Sequence, residues 1–192
     1  MTNWEKAASE LLKVSAIKAG VFTEVSSQSI SVGFKRLSSE ATIPTKAHPT
    51  DSGFDLYASE DVIIEPGETE IVPTGIAVEL PKGFEVQVRP RSGVTAKTKL
   101  RVQLGTIDNG YKGEIGVIVD NISTDAWSNA SRLLDNSYAE ETRNKTGGYL
   151  IRKGEKIAQL VVQALPEVTA VEIEEFTEDS ERGEGGFGST GV

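Results

Sequence analysis

The sequence predicts an all-β domain, a sandwich, barrel or jelly roll, on three observations. Short apolar runs of strand length recur from Ser31 onward, Pro- and Gly-rich turns separate them, and no sustained helical periodicity interrupts them before Asn121. A chain of 192 residues is long enough to bury the core of one such domain without cross-links.

At the N-terminus, Thr2-Asn-Trp-Glu5 has the capping-box pattern, and Trp4, Ala7, Ala8, Leu11, Val14 and Ile17 follow at helical spacing until Gly20. Residues 3–18 are therefore expected to form an amphipathic helix. Ser26-Ser-Gln-Ser29 reads as a linker, which makes residues 1–30 an extension to a β domain over residues 31–180. Strands are expected at Ser31–Lys35, Gly53–Ala58, Val62–Glu65, Glu70–Val72, Ile76–Leu80, Glu85–Arg89, Glu114–Val119, Lys156–Leu165 and Ala170–Ile173. Pro66-Gly67 and Pro81-Lys-Gly83 end runs. Between Asn121 and Gly148 the composition turns to Ser, Asn, Thr and Asp, an insertion in which Trp127, Ala130 and Leu134 would share a helical face capped by Ser123 or Thr124. A polar connection this long is either functional or a tolerated surface loop.

Composition limits the function classes. There is no Cys, so disulfides and thiolate metal sites are excluded, and no apolar run approaches the roughly 18 residues of a membrane span. With Glu5 and Glu10 among the first apolar residues there is no signal peptide, and a cytoplasmic protein is expected. The net charge of −9 argues against a nucleic acid polymer as partner, because duplex binding requires a basic surface. A single nucleotide held by a few Arg and Lys side chains with Mg²⁺ remains compatible.

Five segments carry residues suited to chemistry. Asp51-Ser-Gly-Phe-Asp55 sets two acids four apart, which suits a hydrated hard cation or simply a turn. Arg89-Pro-Arg-Ser-Gly93 offers guanidinium groups and a hydroxyl at a strand end. Gly105-Thr-Ile-Asp-Asn-Gly-Tyr-Lys-Gly113 sets Asp108 and Tyr111 in a tight turn between two apolar runs, with Asn109-Gly110 as a hairpin signal and glycines free to take positive φ or approach a ligand. In Lys153-Gly-Glu-Lys-Ile-Ala-Gln-Leu160 the amide of Gln159 is either a core group or a donor to a ligand. The C-terminal Arg182-Gly-Glu-Gly-Gly-Phe-Gly-Ser-Thr-Gly191 has Walker-like glycine spacing at Gly183 and Gly188, but Ser189 replaces the required Lys, so it is no P-loop. It is expected to be either a flexible strip able to wrap a polyphosphate or a disordered Gly/Ser tail.

In this order the five segments resemble the five motifs of the trimeric dUTP pyrophosphatase (dUTPase) family, over roughly residues 31–192 apart from the insertion at about 121–148. The resemblance implies a jelly-roll-like homotrimer, active sites built from more than one subunit, and Mg²⁺-dependent conversion of dUTP to dUMP and pyrophosphate. By position, Asp108 would activate the attacking water, Tyr111 would pack on deoxyribose, Gly105 would lie in the uracil-reading hairpin, and Asp55 would hold the metal through water. Arg91, Ser92, Gly93 and Gln159 would contact phosphates, and Arg182, Phe187, Gly188, Ser189 and Thr190 would belong to an arm, residues 181–192, that closes over the nucleotide. His48 would be a bystander. Lys156 departs from the family's frequent Arg, and the insertion is similar to those of some bacteriophage dUTPases. A regulatory protein bound through the insertion is the second expectation, and a related dCTP deaminase the third.

Overall fold

The computed structural model describes residues 29–124, 130–140 and 148–176 together with Ser180, Gly183 and Gly185. The expected helix over residues 3–18, Trp127 and the arm residues Arg182, Phe187, Gly188, Ser189 and Thr190 lie outside them. Eleven strands are present among the described residues: β1 Gly33–Arg36, β2 Gly53–Tyr57, β3 Val62–Ile64, β4 Thr69–Pro73, β5 Ile76–Glu79, β6 Phe84–Pro90, β7 Leu100–Val102, β8 Gly105–Ile107, β9 Gly116–Asn121, β10 Tyr149–Ile151 and β11 Lys156–Ala164. One short helix, α1 Ser92–Lys97, follows β6. No helix among the described residues is long and apolar enough to cross a membrane.

Among the described residues all pairings between these strands are antiparallel. A four-stranded sheet runs β2-β11-β6-β8, a three-stranded sheet β4-β9-β7, and two ribbons pair β1 with β5 and β3 with β10. Alternation in the strands supplies the core between them. In β9, Val117 and Val119 point inward while Ile118 is exposed; in β6, Val86 and Val88 point inward between Glu85, Gln87 and Arg89. Leu56, Ile64, Leu100, Ile115, Ile157 and Leu160 complete a buried centre. The mostly β fold with jelly-roll character was expected.

Four elements were not. The runs at β7, β8 and β10 are three residues each, too short for a periodic signal, and α1 is a single turn and a half with no side-chain cap. Conversely, Ala170–Ile173 is not a strand: it pairs with nothing among the described residues, and Val168, Val171, Ile173 and Phe176 are exposed. Apolar content alone does not make a strand without a ladder partner. Leu134 lies in a turn and not on a helical face, and the described part of the insertion, residues 130–140, is a small hairpin-like loop. Arg132 bridges to both Tyr138 and Tyr149, and Asn136 takes a left-handed φ of 72° at the tip.

The connection into this insertion is fixed by Asn121. Its buried side chain donates to the Ile64 carbonyl at 2.9 Å and accepts from Ser123 N–H at 3.0 Å, fastening the end of β9 to β3.

Leu160 has no exposed surface and sits on the strand shared by β2 and β6. Leu160→Ala should cost about 2–5 kcal/mol through lost burial and the cavity left behind, read as a lower midpoint in urea denaturation at fixed protein concentration.

Candidate functional site

The middle strand β11 gathers the first group of residues. Its neighbours on either side place Asp55 of β2 and Arg89 of β6 both opposite Gln159. The Gln159 amide donates to the Pro90 carbonyl at 3.0 Å, and Gly53 leaves room for it: a Cβ there would stand 2.6 Å from Gln159 Oε1. The amide thus packs against backbone while also lining a cleft of about 400 Å³ with Asp51, Asp55, Arg91, Ser92 and Gly93. Arg89 does not enter this cleft, because Gln87 Oε1 accepts from both its Nε and Nη2. Asp51 accepts from His48 N–H at 2.8 Å and is a turn-former whose position still borders the cleft.

A register shift in β11 between Lys156 and Ala158 sets the charge at the cleft. Counting back from Gln159 opposite Asp55, an unbroken ladder would put Lys156 on the face away from Asp55. The bulge consumes one residue and puts Lys156 opposite Tyr57, on the Asp55 side. Lys156 Nζ then lies 2.7 Å from one Asp55 oxygen and Arg91 Nε 3.0 Å from the other, while Arg91 Nη1 donates to the Lys156 carbonyl at 3.1 Å. Asp55 therefore orients two cations at the mouth of the cleft, and its hydrogen bond holds the Lys156 pKa above the ordinary 10.5. Lys156, set aside on sequence because it lacks bidentate geometry, belongs to this site. Gly93 has open space where a Cβ would be, so its backbone is accessible from the cleft.

The second group forms around the turn at Asp108. Tyr111 N–H donates to the Asp108 carbonyl at 3.0 Å, and Asn109 Nδ2 donates to the Leu80 and Pro81 carbonyls at 2.9 and 2.7 Å. Asn109 anchors the turn to the β5–β6 connection. Among the described residues, neither Gly105, Gly110 nor Gly113 takes positive φ, and β8 and β9 on either side of the turn belong to different sheets. The turn is a crossover, not a paired hairpin. Gly113 is needed for another reason: the Tyr111 ring folds back over it, with a virtual Cβ 2.5 Å from the hydroxyl oxygen, and that hydroxyl donates to the Glu114 carbonyl at 2.8 Å. Glu114 Oε1 in turn accepts from the N–H groups of Thr74 and Gly75. The result is a cleft of about 420 Å³ with an apolar floor of Ile71, Pro73, Ile107 and Ile118 and with Asp108 and Tyr111 at its edge. Gly105, on β8 opposite Val88, leads into it. Asn109 was legible only as a hairpin signal and Glu114 only as a strand start; the side-chain anchoring each provides was not, since an acid and an amide near a turn are common.

The two groups are far apart in one chain. Because β8 runs antiparallel to β6, Ile107 faces Val86 and Asp108 continues toward Glu85, whereas Arg91 extends past the opposite end of β6. Six strand positions separate them, roughly 20 Å at ~3.3 Å per residue. The clefts share no lining residue. Asp108 and Arg91 cannot act on the same atom within a single chain.

Comparison with known proteins places the chain among nucleotide hydrolases. The family model described as dUTPase matches residues 39–128 and 144–191. The deoxyuridine 5'-triphosphate nucleotidohydrolase of Clostridioides difficile is 41% identical over 159 residues, covering 82% of this chain and 95% of that protein. The Staphylococcus bacteriophage 80alpha dUTPase bound to dUPNHPP superposes with a TM-score of 0.80 at 40% identity over 85% of this chain and 100% of the phage chain. A dUTPase from phage phi11 of S. aureus, solved to visualise its species-specific insert, gives 0.73 at 30% identity, covering 78% and 100%.

The raised Lys156 pKa has a testable sign. A group whose folded pKa exceeds its unfolded value stabilises fully below the unfolded value and loses that contribution as pH rises through the folded one. Lys156→Met should lower the thermal midpoint at pH 7, and the gap to wild type should close above pH about 10.5; a gap unchanged at alkaline pH would assign the loss to packing instead.

Proposed function

Since this chain belongs to the dUTPase family and is a nucleotide hydrolase of that family, we propose that it converts dUTP to dUMP and pyrophosphate by attack of an Asp108-activated water on the α-phosphorus. The oxygen of that water forms the new bond to phosphorus, the bond to the α,β-bridging oxygen breaks, and the proton passes to the Asp108 carboxylate. Attack at phosphorus asks little covalent chemistry of the protein; it needs alignment, charge neutralisation and exclusion of bulk water. A carboxylate within reach of the attacking water is suited to take its proton, the part given to Asp108. The supporting observation is the cleft that joins Asp108 and Tyr111 over an apolar floor, sized for a nucleoside.

The roles distribute over the two clefts. The deoxyribose packs on Tyr111, whose ring is backed by Gly113, and the backbone from Gly105 onward reads the uracil. Arg91, Ser92, Gly93 and Gln159 take the phosphates. Arg182, Phe187, Gly188, Ser189 and Thr190 close over the bound nucleotide and exclude water. Among the described residues no three His, Cys, Asp or Glu side chains cluster as metal ligands. The residues fit Mg²⁺ only as a hydrated ion carried by the phosphates, with Asp55 accepting from its waters while keeping Arg91 and Lys156 in place. Such an ion would neutralise the triphosphate and orient it.

The ~20 Å between Asp108 and Arg91 supports a homotrimer in which one subunit supplies the nucleoside cleft and its neighbour the phosphate cleft. In the cytoplasm such an enzyme limits uracil in DNA and supplies dUMP for dTMP synthesis. A second role, as a regulator that binds another protein through the insertion, is favoured by the likeness to phage dUTPases described as controlling transfer of virulence genes by a G protein-like mechanism. Deleting residues 125–147 would leave turnover at saturating dUTP intact and abolish that binding; loss of neither would exclude the role.

Three outcomes test the reading. Pyrophosphate release should occur with dUTP and Mg²⁺, and not with dTTP, dCTP, UTP or EDTA; ammonia from dCTP would overturn it in favour of deamination. Asp108→Asn should nearly abolish turnover while dUTP still binds. Equimolar reassembly of Asp108→Asn with Arg91→Ala subunits should restore activity at about a quarter of the sites, because each intact site would draw its halves from different chains; no restoration would place both halves in one subunit.

A further inference from the structure

The described part of the insertion abuts the phosphate cleft. Arg91 and Gly93, which line that cleft, also line a neighbouring one of about 430 Å³ whose other walls include Lys97 of α1, Lys156, Leu134 and Asp135. The two clefts thus meet across the Arg91–Gly93 turn. Leu134 is half-buried against the core, which fixes the tip of the insertion at this place.

Asp135 is built into the tip. Its Oδ1 accepts from Ser137 N–H at 2.9 Å and from the Ser137 hydroxyl at 2.6 Å, and Asn136 beside it takes the left-handed φ of 72° while its Oδ1 accepts from Arg132 Nη1 at 3.3 Å. The two bonds from Ser137 hold the Asp135 carboxyl below the usual carboxylate range, and the charge of Lys97 acts in the same direction. The second acid of this cleft, Glu155, is committed to the Arg152 N–H at 2.8 Å. Asp135 thus places a fixed negative charge in the same cleft as Lys97 and as Arg91 and Lys156, which are also paired with Asp55.

We infer that Asp135 tunes phosphate affinity: its carboxylate competes with the β- and γ-phosphates of the substrate for Arg91, the cation that lines both clefts, and for Lys97 and Lys156 beside it. The inference rests on the reading that the Arg91 cleft takes the phosphates. It makes the insertion tip a specificity-determining wall of that site. By linkage, whatever draws the tip away strengthens triphosphate binding, and bound triphosphate favours the withdrawn tip by the same factor.

The test is calorimetric binding of dUMP, dUDP and the non-hydrolysable analogue dUPNHPP to the full-length protein and its Asp135→Asn variant. Asn keeps the oxygen that accepts from Ser137, so the turn is preserved and only the charge is removed. The analogue should bind about three-fold tighter to Asp135→Asn, dUDP by less, and dUMP equally to both, with the gain fading between about 50 mM and 500 mM salt. Lys97→Gln should act oppositely, weakening the analogue more than dUMP. A purely structural role would shift all three ligands alike and resist salt, and that result, or no change at low salt, overturns the inference. Arg91→Ala separates the two levels. If it weakens the analogue while Asp135→Asn does nothing, only this inference fails; if it leaves the analogue unaffected, the phosphate assignment itself falls.

Discussion

The antiparallel pairing of β11 with β2 on one side and β6 on the other is the constraint on which the site depends. It brings the ends of three segments far apart in the chain to one place: Asp55, Gln159 and the Arg91 turn. Burial secures it, since Leu56, Val86, Val88, Ala158 and Leu160 point to the common core and a slip of one residue would turn them to solvent. The bulge ahead of Ala158 is the single break in this ladder, and it is what gives Asp55 its second cation.

Charge at the Arg91 cleft is balanced locally. Asp55 is shared by Arg91 and Lys156 and Asp51 lines the same cleft, so cations are matched by acids there, on a chain of net charge −9. Such a site is not the broad basic surface that a nucleic acid strand would need. The Asp108 cleft is the opposite in character: an apolar floor with Asp108, Glu114 and the Tyr111 ring, positioned by the Asn109 amide and the Tyr111 hydroxyl bonding backbone carbonyls. The two clefts lie in separate parts of the chain.

Much of the fold was legible in the sequence where local pattern suffices. β2, β3, β5 and β6 emerge within a residue or two of the apolar runs that announce them, because alternation and turn residues act over a few positions. The elements missed, β7, β8, β10 and α1, are short segments whose structure comes from neighbours. Ala170–Ile173 erred the other way: its apolar residues have no ladder partner among the described residues. The site residues within the described chain were legible as residue types in order, but their grouping was not. Glycines are instructive here. Gly113 was read as a source of backbone freedom, yet it serves as a seat for the Tyr111 ring, a contact invisible to spacing.

What the sequence by itself determined is the all-β class, the acid and aromatic pair at Asp108 and Tyr111, and the order of the candidate segments, since each depends on residue identity over a short stretch. Only the tertiary structure decided that Lys156 faces Asp55, that Arg89 turns away, that Asp108 and Arg91 lie at opposite ends of a strand pair, and that Asp135 lines a cleft adjoining Arg91. The physical reason is that side-chain direction in a sheet is fixed by register and bulges. Both are set by burial of the whole ladder and not by the residues whose chemistry they aim.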